Sequence, residues 1–411
     1  MEVSRRPISD VIADASPAET VDELLGLLDI TRDHVGDLLG VMREAVTRRV
    51  DEVRDRRRSG DDPIPVLQFE DVRAEAVTDA ERESIRATGC VIVRHTFERA
   101  EAGAWNDELG HYLDRNGFLD RLLEQHPGAS TASRIWPVYW SRPQVLARQH
   151  ANMVAVRRFL NGLWTVDSHG RRWFDPTRDI GYPDRIRRRE PGAVAKGLPA
   201  HVDSPSSGGW RIPENQRVFA PLLIEGIDAY DPFDAAYRTT TDVQSPAGST
   251  AFRTFQGWTA LSEMHPDDGG LHVVPIPTAV AYRLVHGLAG ELGLLGDAPV
   301  PAPRRDSGDD VVLRAMVPFP RIEPGDTVWW HGDLYHSVGP ASNDSRWGNV
   351  MYIGAAPRCP RNDAYARTTY TRFVEGRSPV DFPADDFEVG FIGRATADDL
   401  DDVGRDQFEP S

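Results

Sequence analysis

Cysteine is nearly absent from this chain: there are two among 411 residues, Cys90 and Cys359. Two thiols cannot build a disulfide framework, and they exclude a zinc site with three or four thiolates from one chain. Long apolar runs are missing as well. No stretch approaches the roughly 18 consecutive apolar residues of a membrane helix. The N-terminal Met1-Glu2-Val3-Ser4-Arg5-Arg6-Pro7 carries no apolar signal core. These absences together predict a cytoplasmic protein. Positive charge is in deficit, with 47 Lys and Arg against 64 Asp and Glu and a formal net charge of -17. Broad contact with nucleic acid or an anionic membrane is therefore disfavoured. Internal repeats are absent, and nothing in the sequence decides between a monomer and a homo-oligomer.

What is present suffices for one large domain with an extension: 40% of the residues are hydrophobic. The chain divides into an N-terminal helical extension over 1–62, a main domain over 63–394 and an acidic tail over 395–411. Thr20-Val21-Asp22-Glu23 is a capping-box pattern that opens a short helix, and Thr31 caps a longer one. Val35, Leu38, Leu39, Met42, Val46, Val50 and Val53 recur at helical spacing as far as Arg56-Arg57-Arg58. The pattern predicts an amphipathic helix packed on the main domain, with a dimer arm as the alternative. A second capping box, Thr78 to Glu81, opens a helix that should stop at Gly89, before the buried strand Cys90 to Arg94. Further helices are expected over Ala100 to Asn116 and from about Gln144 to Trp164. Arg185 to Arg189 reads as a basic patch in a polar loop. After Leu198, short strand-like runs alternate with Gly, Pro and Asp clusters, which predicts a sandwich or barrel. Insertions are expected at 228–242 and 287–310, and the tail is expected to be mobile.

The chemistry centres on Pro324-Gly325-Asp326-Thr327-Val328-Trp329-Trp330, a turn followed by a strand, and on the polar segment His331 to Pro340 after it. His336 lies near a strand end, and Arg346 precedes a second strand-like run, Asn349 to Ile353. A hairpin would point His336 and Arg346 into one cavity, where the planar fork of an arginine matches a carboxylate. The first half of the proposed site is His201-Val202-Asp203, since residues i and i+2 of a strand point the same way. Two histidines and one carboxylate on one face of an octahedron form the facial triad of non-haem iron(II) oxygenases.

A His-x-Asp pair alone is weak. With 12 histidines and 64 acids, about two such matches arise by chance, and there are three: His201/Asp203, His265/Asp267 and His331/Asp333. Order separates them, because no histidine follows His336. His265 lies in a turn-like segment, and His331 leaves only His336 downstream, five residues on. His201, Asp203 and His336 therefore fit best, against the plain alternative that His201 is an ordinary strand-end histidine. His272 sits in a strand and would line the cavity; His286 falls in a helical stretch. Trp258, Tyr139 and Trp140 are candidate pocket walls, although each aromatic is more often core.

Ala200 to Ser204, Phe255 to Ser262, Gly270 to Pro275, and Gly325 through His336 to Arg346 resemble the Fe(II)/2-oxoglutarate-dependent oxygenases. The resemblance is closest to the phytanoyl-CoA dioxygenase-like group and, within it, the bacterial YbiU-like branch; Tyr139-Trp140-Ser141-Arg142-Pro143 also looks like that branch. It covers about Pro65 to Pro357. It implies an α+β, mainly β fold: a double-stranded β-helix (jelly roll, cupin-like) with flanking helices. It implies His201, Asp203 and His336 as iron ligands and Arg346 as the partner of 2-oxoglutarate. The implied cofactors are Fe(II), 2-oxoglutarate and O2. The implied reaction oxidises a C–H bond, most simply by hydroxylation, of a small molecule of the amino-acid or secondary-metabolite class, with release of succinate and CO2. Asp203 stands where related halogenases carry Gly or Ala, so they match poorly. Trp347-Gly348 follows Arg346, so the hydroxyl that some relatives place two residues after the arginine is missing. A cupin-like isomerase or 2-oxoglutarate-independent dioxygenase, and a non-catalytic jelly-roll binding protein, are the alternatives.

Overall fold

The computed structural model describes residues 16–127, 135–203, 209–238, 251–295, 310–342 and 345–408. Parts of both expected insertions, 239–242 and 296–309, lie outside the described residues, as do Ser204 and the last three residues of the tail.

The local signals at the N-terminal end act as written. In helix α1 (Val21–Leu28) the Thr20 hydroxyl accepts from the Glu23 amide while the Glu23 carboxylate accepts from the Thr20 amide. Helix α2 (Arg32–Ser59) starts at a Thr31 cap and ends at Gly60, whose φ of 87° is left-handed. All seven apolar positions of its stripe are buried. They share one core with Ala281, Leu284 and Leu288 of helix α7, Ala279–Glu291. The three arginines of the last turn of α2 complement its dipole.

Strand β1 (Val66–Gln68), helix α3 (Asp79–Thr88) and strand β2 (Cys90–Arg94) form a parallel β-α-β unit. This parallel pair edges the larger of two main sheets; the other strand pairings are antiparallel, and three two-stranded sheets also occur among the described residues. A six-stranded sheet runs in the order β1-β2-β8-β5-β10-β3, with β3 Ile186–Arg187, β5 Phe255–Ala260, β8 Thr327–His331 and β10 Val350–Ala355. A four-stranded sheet runs β7-β6-β9-β4, with β4 Leu198–His201, β6 Leu271–Val273, β7 Val317–Pro318 and β9 His336–Val338. From β3 onward the pairing is nested: β3 with β10, β4 with β9, β5 with β8, β6 with β7. The fold is thus α+β with several sheets, and among the described residues the two large sheets do not close into one barrel.

Strand alternation divides the six-stranded sheet into two faces. Trp258, Ala260, Val328, Trp330 and Val350 join Leu271, Val273 and Val317 of the other sheet in one core. Ile186, Phe255, Trp329, Met351, Ile353 and Ala355 pack against helices in a second core. Between β5 and β8 the fit is close. A Cβ on Gly257 would lie 2.6 Å from the Val328 carbonyl oxygen and 2.7 Å from the Trp329 ring, so only glycine fits. The turn before β8 is equally constrained. Gly325 has φ 93°, and buried Asp326 accepts from the His95 and Glu323 amides and pairs with Arg94.

Two expectations fail. The helix foreseen from Gln144 to Trp164 is two helices, α5 (Arg142–Gln149) and α6 (Ala151–Asn161). His150 adopts an extended ψ of 136°, and its Nδ1 accepts from the Asn152 amide, ending one helix and capping the next. The apolar spacing runs on across the break, so periodicity does not reveal it. The tail is not loose: Asp402–Phe408 is a helix, α9. Phe408 is buried and stacks on Phe373 at 5.2 Å and 8°, so two apolar side chains anchor a segment whose average composition is polar. Both cysteines are free and buried. Among the described residues no helix is long and apolar enough to cross a membrane.

Candidate metal centre

The site forms where the edge strand β4 pairs with β9. His201 is the last residue of β4, His336 the first of β9, and the two are directly opposed in the register. Their ring centroids lie 4.2 Å apart. Asp203, two residues beyond His201, places one carboxylate oxygen 3.4 Å from His201 Nε2 and the other 3.4 Å from His336 Nε2. One donor atom from each of the three residues lies within 4.8 Å of the others, and among the described residues no other such cluster of metal-competent side chains occurs.

The imidazole orientations suit a cation. His201 Nδ1–H donates to the Pro199 carbonyl at 2.7 Å, and His336 Nδ1–H donates to the Leu334 carbonyl at 3.0 Å. Those bonds fix the tautomer and leave the Nε2 lone pairs turned toward Asp203. Burial raises the carboxyl pKa of Asp203, but the His201 and His336 rings, which donate through Nε2 only when protonated and no cation is bound, outweigh it and hold the carboxyl well below its usual range. Burial depresses His201, yet the Asp203 bond and the Pro199 carbonyl bring it above its ordinary value. Two neutral nitrogen donors and a carboxylate, on one side of a point from which the other directions are open, match the donor set of a facial triad. Metal-to-ligand bonds of roughly 2 Å require donors about 3 to 4 Å apart, which both His–Asp separations of 3.4 Å meet.

The triad opens onto a cavity of about 490 Å³ between the two sheets. Leu198, Leu271 and Val338 of the four-stranded sheet line one side, and Gln256, Trp258, Trp330 and Tyr352 of the six-stranded sheet the other. Tyr182, Asp184, Arg185, Arg187, Arg253, Asp381 and Phe382 complete the wall.

A model of the Gig2-like family matches residues 31–410. The chain belongs to the Gig2-like family. It is 40% identical to YbiU of Escherichia coli K12 over 412 residues, covering 97% of this chain and 98% of that protein. The crystal structure at high pH of the hypothetical protein JW0805 from Escherichia coli matches with a TM-score of 0.85 and 40% identity, over 98% of this chain and 99% of that one. GIG2 of Candida albicans shares the fold at a TM-score of 0.71 and 22% identity, over 98% of this chain and 88% of that one.

In this Gig2-like chain the structure brings together His201, Asp203, His336 and Trp258, but not every residue singled out in the sequence. Arg346 does not line the cavity; its side chain is 41% exposed and lies 4.0 Å from Asp268. His272 alternates with Leu271 and Val273 and so faces away from the cavity, donating through Nδ1 to the Gly270 carbonyl. Tyr139 and Trp140 belong to a separate core with Phe373 and Phe408. Their amides donate to the buried Glu388 carboxylate. Tyr139 packs one layer behind the wall, 5.1 Å from the Phe382 ring. Arg185 and Arg187, expected in a polar loop without a role, line the cavity. Arg187 is in fact a strand residue opposite Val350, only 8% exposed, with Ile186 turned to the other core. An Arg-Ile-Arg alternation is the available signal, but Arg188 and Arg189 directly after it conceal the phase.

Proposed function

We propose that the chain is a non-haem Fe(II)/2-oxoglutarate-dependent oxygenase that hydroxylates a C–H bond of a small molecule of the amino-acid or secondary-metabolite class. The observation that carries this is the two-histidine, one-carboxylate set, with both Nδ1 atoms pinned, at the mouth of a cavity large enough for two small organic molecules. His201, Asp203 and His336 would hold the iron. Bound there, ferrous iron with 2-oxoglutarate supplies dioxygen activation, and the overall reaction is RH + 2-oxoglutarate + O2 → ROH + succinate + CO2. Trp258 and Trp330 present apolar walls that exclude bulk water from the metal face.

The nested pairing of β3 to β10 supports a jelly-roll reading of the two sheets. A long antiparallel hairpin rolled over itself pairs its first strand with its last and so on inward. The two buried free thiols accord with a reducing cytoplasm. For the co-substrate, Arg187 is better placed than Arg346. It lines the cavity, and its buried Nε has no hydrogen-bond partner among the described residues. Tyr352 lies on the same sheet face; burial raises its pKa despite Arg187 and Arg185 nearby, so it stays a neutral O–H donor. Together Arg187 and Tyr352 would supply the two co-substrate contacts. A cupin-like isomerase gains no support, since no further histidine joins the cluster among the described residues.

The test is succinate release from 2-oxoglutarate by the Fe(II)-loaded protein under air. Slow uncoupled turnover that disappears in Asp203→Ala is expected. Failure of the Fe(II)-loaded protein to bind 2-oxoglutarate would overturn the reading.

A further inference from the structure

Three arginines, Arg185, Arg187 and Arg253, line the cavity together with three carboxylates, Asp184, Asp203 and Asp381, yet two of the guanidiniums have no direct ion-pair partner among the described residues. Arg187 and Arg253 both line it, and among the described residues neither guanidinium forms an ion pair or a side-chain hydrogen bond. Arg185, by contrast, is already held by Asp184 at 3.1 Å. A guanidinium turned into a cavity with no acceptor in hydrogen-bond reach leaves its donors unsatisfied, and an anion that binds there satisfies them. Arg253 lies just before β5, with its guanidinium 5.0 Å from the Tyr182 ring centre. The Tyr182 hydroxyl donates to Asp381 at 2.9 Å, which fixes the ring beneath the cation. Phe382 continues the aromatic wall. Burial opposes the charge on Arg253, but Tyr182, Asp184, Asp203 and Asp381 restore it, so it remains a full cation within electrostatic reach of a triad residue.

We propose that the oxidised substrate is itself an anion, a small carboxylate or phosphate monoester gripped by Arg253 beside Tyr182 and Phe382, while Arg187 serves 2-oxoglutarate. This inference rests on the oxygenase reading for its second anion. The division follows position. Arg187 is buried within a sheet strand, suited to a co-substrate bound identically in every cycle. Arg253 is only partly buried, on a segment outside the sheet, suited to a substrate that enters afterwards.

The experiment titrates the full chain, loaded with redox-inert Mn(II) and saturating 2-oxoglutarate, with benzoate, phenyl phosphate and neutral benzamide. Calorimetry should show one of the two anions binding at least about tenfold more tightly than benzamide, the stronger one identifying carboxylate or phosphate as the recognised group. Arg253→Gln should weaken that anion by about tenfold or more and leave 2-oxoglutarate affinity within about twofold. Arg253→Lys, which keeps the charge and most of the packing but loses the fork, should fall between the two. Equal affinity for benzamide, no binding of either anion, or an Arg253→Lys protein and an Arg253→Gln protein that both bind like wild type would each overturn the inference. A protein that binds 2-oxoglutarate but ignores anions keeps the oxygenase reading and loses this one. A protein that accepts no 2-oxoglutarate loses the oxygenase reading, and this inference with it.

Discussion

Two His-x-Asp pairs in this molecule have the same spelling and opposite fates. His201 and Asp203 stand at a strand end beside a cavity, with the His201 Nε2 lone pair turned toward the carboxylate. His331 and Asp333 lie in the interior, 2% and 1% exposed. Both nitrogens of His331 are taken: Nδ1 accepts from the Asp333 amide at 3.0 Å, and Nε2–H donates to the Pro232 carbonyl at 3.1 Å. The ring stacks on Trp164 at 5.1 Å, and Asp333 pairs with Arg238 at 2.9 Å. What separates a ligand pair from a structural pair is where the second ring nitrogen goes and whether the carboxylate already has its cation. Sequence spacing carries neither.

The sharpest way to break that comparison is to open the buried pair. Asp333→Ala leaves the Arg238 guanidinium without its carboxylate and should cost about 3–5 kcal/mol in chemical denaturation. The metal affinity of the folded fraction should be unchanged. A loss under about 1 kcal/mol would show that the interior pair is not structural. Next, His336→Ala should weaken divalent-metal binding by at least about a hundredfold, beyond the loss usual for an outer-shell partner, whereas His331→Gln should change it by less than about twofold. Equal effects would dissolve the distinction.

Acid should also separate the two sites. Burial pushes His331 down to about 4. The unfolded chain, with an ordinary histidine pKa of about 6.5, therefore binds more protons between these values. Stability contributed by His331 is complete above about pH 6.5 and is lost as pH falls through that window, by about 3 kcal/mol at pH 4. His331→Gln should flatten this part of the stability–pH curve; an unchanged slope would assign the acid loss elsewhere. The smallest effect concerns the arginines. Arg187→Gln should weaken 2-oxoglutarate binding by about tenfold or more, and Arg346→Ala by less than about threefold. The opposite ranking in calorimetry would restore Arg346 to the site.

Local signals were readable without the structure. Both capping boxes form, and the stripe from Val35 to Val53 is buried at every position, because helix caps and 3.6-residue spacing are set within a few residues. The convergence of His201, Asp203 and His336 was legible for a different reason: the order of histidines along the chain leaves few consistent combinations. Arg187 was not, since a two-residue strand takes its facing from its partner β10, more than 160 positions downstream. Nor was the break at His150, where one side chain caps a helix within an unbroken apolar pattern. The exclusion of Tyr139 and Trp140 from the cavity depends on Glu388, which claims their amides from the far end of the chain.

The central claim is that His201, Asp203 and His336 hold a single divalent ion through two Nε2 atoms and a carboxylate. Anaerobic calorimetry with Fe(II) tests it most directly. One ion per chain should bind to the wild-type protein, and binding should be lost in His201→Ala, Asp203→Ala and His336→Ala, all three retaining the wild-type melting temperature in the absence of metal to within a few degrees, on the order of a 1 kcal/mol change. Undiminished binding of one ion in those variants, or none in the wild type, would contradict it.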